Sequence, residues 1–92
     1  MRADPPLGNA LDPQLIALQA LGWVLQDEQR AQRLLDLTGL DPSSLRERAG
    51  DATMLAALLS FLESHEPDLL ACAQALSVSP ESLVAAREEL SR

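Results

Sequence analysis

Two short junctions constrain this chain more than any other feature of it. The first, Leu37-Thr38-Gly39-Leu40-Asp41-Pro42, places a helix stop and a helix start side by side. Gly39 can enter the left-handed region that closes a helix, and Leu40 can fold back onto the last turn. Asp41 can cap the next helix and Pro42 suits its first position. The second junction, Ala75-Leu76-Ser77-Val78-Ser79-Pro80, repeats the pattern with Ser where the first has Gly and Asp. A chain punctuated in this way is built of short helices.

The segments between the junctions support that reading. Asp12-Pro13 opens a first helix to about Leu25, carrying Leu15, Ile16, Leu18, Leu21, Trp23, Val24 and Leu25 and leaving only Gln19, Gly22 and Gln26 as a polar strip. A helix that is apolar nearly all round is expected to be central or shared with another molecule. Asp27 starts a second helix, with Ala31, Leu34, Leu35 and Thr38 on one face. The third runs from Pro42 to Ala49 around Leu45, with Gly50 as its stop. Asp51 starts a fourth, rich in Met54, Leu55, Leu58, Leu59, Phe61 and Leu62, with Thr53, Ala57, Ser60 and Ser64 as its narrow strip. Pro67 sets the first turn of a fifth, offering Leu69, Leu70, Cys72, Ala73 and Leu76 to the core, and Ser79-Pro80 opens a sixth with Leu83, Val84, Ala86 and Leu90.

The expected fold is all-α: a compact bundle of about six short helices, two apolar ones at 12–25 and 51–63 wrapped by four amphipathic ones. Hydrophobic residues are 47% of the chain and aromatic ones 2%, so the core is Leu and Ala, which favours helix over strand. Residues 1–10, with Pro5, Pro6, Gly8 and Asn9, lack helical periodicity and are expected to form a mobile arm, leaving 11–92 as one helical domain. A shift of about 38 residues lays Leu21 on Leu59, Trp23 on Phe61, Pro42 on Pro80 and Leu45 on Leu83. Two pseudo-repeated three-helix units would give that register, and so would a two-unit helical-repeat protein. A closed bundle buries more than two open-ended repeats.

The chain resembles a family of short, all-helical bacterial proteins grouped only as a domain of unknown function. The resemblance spans Leu18 to Leu83 and rests on Ala20-Leu21-Gly22-Trp23-Val24-Leu25, on Leu37 to Pro42 with Arg46 and Ala49-Gly50-Asp51, and on Phe61-Leu62 before Leu69-Leu70. Where that family tends to repeat a Gly at the second junction, this chain has Ser77. The likeness implies the fold and a bacterial cytoplasmic setting, and it assigns no functional residues.

Charge and chemistry narrow the function classes further. The formal net charge is -7, and an acidic body repels nucleic acid. No apolar run approaches the roughly 20 residues of a membrane helix, and the start has no signal core, so a cytoplasmic protein is expected. Cys72 stands alone and excludes an internal disulfide or cysteine metal cluster. It reads as a small buried hydrophobe, since the one histidine, His65, is about 10 Å back along a helix axis. His65 beside Glu66 and Asp68 hints at a metal or acid–base site, but a helix boundary explains all three: carboxylates suit a helix N-terminus and a cation suits the end of the helix before it. No Gly-rich phosphate loop is present. No cofactor, metal site or catalytic group is therefore expected, and an enzyme is the least favoured class.

The expected function is a non-catalytic protein-interaction or regulatory module; the alternative is a carrier of a small lipid-like molecule. Arg30, Arg33, Arg46 and Arg48 cluster around the first junction as a candidate partner-binding patch, against which stands ordinary pairing with Glu28, Asp36 and Glu47. Trp23 reads as core, with an interface role, including a homodimer, as the other reading.

Overall fold

The computed structural model describes residues 12–92; the expected arm at 1–10 lies outside the described residues. Six helices follow in order: α1 Pro13–Leu25, α2 Glu28–Thr38, α3 Pro42–Glu47, α4 Ala52–Glu63, α5 Glu66–Leu76 and α6 Pro80–Leu90. The fold is an all-α bundle.

Local chemistry sets the boundaries. Asp12, Asp27, Asp41, Asp51 and Ser79 are N-caps whose side chains accept backbone N–H groups, at 3.0 Å from Arg30 to Asp27 and 2.8 Å from Ser44 to Asp41. Such a cap contributes typically about 1 kcal/mol. His65 is the exception: it is the N-cap of α5 with no side-chain bond. Its place is therefore at the start of α5, not at the end of α4, whose C-cap is Ser64.

The two junctions close their helices with the same backbone twist and different bonds. Gly39 (φ 73°) and Ser77 (φ 60°) are both left-handed. Past Ser77, the Val78 N–H donates to the Ala73 carbonyl at 3.0 Å. Past Gly39, the Leu40 N–H donates instead to the Thr38 hydroxyl at 3.3 Å, which itself donates to the Leu34 carbonyl at 2.9 Å. The Thr38 hydroxyl thus stands in for the carbonyl that the second junction uses.

The 38-residue register holds in three dimensions. The bounds of α2, moved by 38, are those of α5, and the starts of α3 and α6 coincide likewise. Every buried hydrophobic residue described before position 51 falls on a buried one after it: Ile16 on Met54, Ala17 on Leu55, Ala20 on Leu58, Leu21 on Leu59, Val24 on Leu62, Leu34 on Cys72 and Leu45 on Leu83. The first two helices of each unit match in length to within one residue, and the buried positions of the first unit recur in the second.

They part at their third helices. At Arg48 the chain leaves α3, turns through Ala49-Gly50 and restarts at Asp51, whereas α6 continues through Ala86 to Leu90. The longer α6 packs extensively on both α1 and α4, which also pack on each other. Three helices, not two, therefore form the centre. Fully buried Leu55, Leu58, Leu59, Leu62 and Leu83 fill it, each contributing about 1.5–3 kcal/mol by leaving water. Arg87 on α6 donates from Nε to Glu63 on α4 and pins the two together.

Candidate functional site

The four arginines near the first junction do different work. Arg30 is drawn into the fold: its guanidinium lies over the Trp23 ring, 3.6 Å from the centroid, and one of its amino groups donates to the Trp23 carbonyl at 2.7 Å. That carbonyl belongs to the last turn of α1, where backbone acceptors lack helical partners and a cation is favoured. Arg30 therefore ties α2 to the end of α1. Arg33 reaches across to α5 and donates to Asp68 at 2.7 Å. Its partner is a distant carboxylate rather than the neighbouring Asp36, which accepts from Gln32 instead.

Arg46 and Arg48 remain exposed on α3 and just past it. Arg48 pairs with Asp51 at 3.4 Å, where Glu47 had been the expected neighbour. Arg46 has no ion pair among the described residues. Each borders a hollow. Arg46 lines one of about 230 Å³ with Leu25, Ala31, Leu35, Pro42 and Leu45. Arg48 lines another of about 240 Å³ with Leu37, Thr38, Leu40, Thr53, Met54 and Ala57. The hydrogen bond from the Ser44 N–H holds the Asp41 carboxyl below its ordinary range, and that from the Thr53 N–H does the same for Asp51, with Arg48 adding to it.

The remaining candidates have structural settings. Cys72 is fully buried, and burial pushes its thiol up to about 11, so no thiolate is available at neutral pH. His65 is exposed, with Nε2 4.0 Å from Asp68. No group of three or more His, Cys, Asp or Glu among the described residues is arranged to hold a metal ion. Trp23 is only partly buried, packed against the core on one side and bordering a third hollow, of about 420 Å³, with Gln19, Gly22, Gln26, Ala75 and Leu76. Both narrow polar strips, on α1 and on α4, face solvent.

A family model described as protein of unknown function DUF3572 matches residues 10–92. The chain belongs to that family. Comparison with curated proteins and with solved structures finds no match. The family therefore accounts for the resemblance seen in the motifs and leaves the site to be argued from its geometry. No single helix among the described residues is long and apolar enough to cross a membrane.

One feature of the surface was hidden in the sequence. Leu15, Leu18 and Leu25 on α1, which the apolar pattern left either central or shared with another molecule, and Leu70 on α5, which it offered to the core, are 38–47% exposed. Leu37 is 64% exposed. The signal that could have revealed the α1 face is the absence of any charge from Pro13 to Gln26.

Proposed function

We propose that this protein is a non-catalytic interaction module that docks a carboxylate-bearing, apolar partner segment around α3. The observation that carries the reading is the pair of hollows on either side of the first junction, one apolar and one mixed, each edged by an exposed arginine. A partner that inserts aliphatic side chains into them can present its carboxylates to Arg46 and Arg48, gaining charge-assisted hydrogen bonds beside buried apolar area. The Asp41 cap fixes the start of α3, and buried Leu45 anchors it to the core.

A catalytic role finds no support in the two reactive side chains, since Cys72 is a buried thiol and His65 an exposed N-cap. A lipid-like ligand would need room between the apolar helices, where Leu55, Leu58, Leu59, Leu62 and Leu83 cluster, and this favours the interaction reading. A cysteine kept as a thiol fits a reducing interior, so a cytoplasmic setting, in bacteria as the family likeness suggests, belongs to the same reading.

The test is capture of a partner by the full chain from its native cells, with a photoreactive side chain in place of Leu37. Arg46→Glu combined with Arg48→Glu should cut the cross-linked partner more than tenfold while leaving the thermal midpoint within a few degrees, because exposed pairs such as Arg48–Asp51 contribute only about 0–1 kcal/mol. Capture that survives the double reversal, or the lack of any reproducible cross-link, would refute the reading.

A further inference from the structure

Away from α3, α1 has a property unusual for an acidic protein: none of its own residues is charged, and the Arg30 guanidinium from α2 lies over its Trp23. From Pro13 to Gln26 no residue is acidic or basic, and the same is true from Leu69 to Pro80, yet 23% of the chain is Asp, Glu or Arg. The exposed residues of α1 and its C-cap are Gln14, Leu15, Leu18, Gln19, Gly22, Leu25 and Gln26. Those of α5 beyond its charged first turn are Leu70, Ala71, Gln74 and Ala75. The helices pack together, and their outer faces adjoin at the hollow where Gln19, Gly22 and Gln26 meet Ala75. Solvent alone does not require such a surface; a covered surface does, since interface centres are depleted of charge.

We infer that the joined outer face of α1 and α5 is a self-association surface, on which a second copy of this chain docks in a weak symmetric dimer. Three features favour a second copy over a different partner. A two-fold interface must be complementary to itself. The exposed side chains here are aliphatic groups and amides, and an amide both donates and accepts, so Gln19 and Gln26 can pair with their own kind. A charged patch would repel its copy, and this is the part of a -7 molecule that would not. Gly22 has nothing within 4 Å of where a Cβ would stand, which leaves room for a partner's side chain to enter the hollow. A helix as long as α1 is about 20 Å, and two neighbouring helices are about 20 Å across, giving about 400 Å² per copy. The total of about 800 Å² falls below the roughly 1,200 Å² of a stable interface, so the dimer is weak and transient.

Sedimentation velocity of the full chain across a concentration series tests this. The wild type is expected to move from monomer to twice its 9.9 kDa mass as concentration rises through the micromolar range. Added salt should tighten the dimer, because it screens the repulsion between two acidic bodies; an interface made of ion pairs would loosen. Gln19→Glu with Gln26→Glu, both exposed, should weaken the dimer at least tenfold. Ser43→Glu with Thr53→Glu, the same added charge elsewhere, should weaken it far less, and Gln19→Met with Gln26→Met should preserve it. At salt high enough to screen its added charge, the Arg46→Glu and Arg48→Glu variant should dimerise as the wild type does, which separates this surface from the one around α3. A chain that stays monomeric to millimolar concentration, or a dimer indifferent to the Gln19 and Gln26 substitutions in a protein still helical by circular dichroism, would overturn the inference.

Discussion

Gly39 and Ser77, 38 positions apart, hold the same left-handed backbone at the ends of α2 and α5, one with a side chain and one without. Left-handed backbone suits glycine and strains other residues by about 1 kcal/mol. No atom lies within 4 Å of a Cβ built on Gly39, so the backbone alone sets the cost there. Gly39→Ala should therefore destabilise by about 1 kcal/mol and Ser77→Gly should stabilise by about 0.5–1 kcal/mol. Urea titration of both variants checks this, and equal and opposite shifts are expected only if the two junctions are true counterparts.

Arg30 should behave as a structural residue. Arg30→Ala removes the cation over Trp23 and the bond to the Trp23 carbonyl, with an expected loss of about 1–3 kcal/mol. Arg30→Lys should recover little, because an ammonium cannot lie flat on the ring while holding the carbonyl. Trp23 is the one tryptophan, so its emission reports the change directly. A wild-type spectrum and midpoint in Arg30→Ala would show that the stacking contributes nothing.

Cys72 makes a pH prediction with few competitors. The chain has no Tyr and no Lys, so between pH 9 and 11 its thiol is the one side chain expected to titrate. Burial raises that thiol from an ordinary 9.0 to about 11. The folded state thus keeps the proton where the unfolded chain releases it. Stability from this group is complete below pH 9 and is lost as pH rises toward 11. Denaturation midpoints should fall over that window in the wild type and stay level in Cys72→Ala, which will be less stable throughout because of the space it leaves. At pH 8 a thiol reagent should modify the native protein only as fast as it unfolds; rapid labelling would contradict the burial.

The sequence determined what depends on neighbours along the chain. Asp12, Asp27, Asp41, Asp51 and Ser79 mark their helix starts by bonds spanning two or three residues, and Gly39 and Ser77 mark the stops by their own dihedral angles. Such features need no distant partner, and with them came the register of 38 residues.

Tertiary structure decided which side of each helix faces in. In α1 and α5, Leu and Ala occur all round, so periodicity does not choose a face; packing against α6 and α4 did, leaving Leu15, Leu18, Leu25 and Leu70 outside. The same holds for the long side chains. Arg33 finds Asp68, 35 residues away, and Arg30 finds Trp23, because a guanidinium on a flexible stem takes whatever carboxylate, carbonyl or ring the fold brings within reach. The central position of α6 is also a tertiary outcome: α3 starts in the same register, but the turn at Ala49-Gly50 cuts it short, and only the longer helix can bridge α1 and α4.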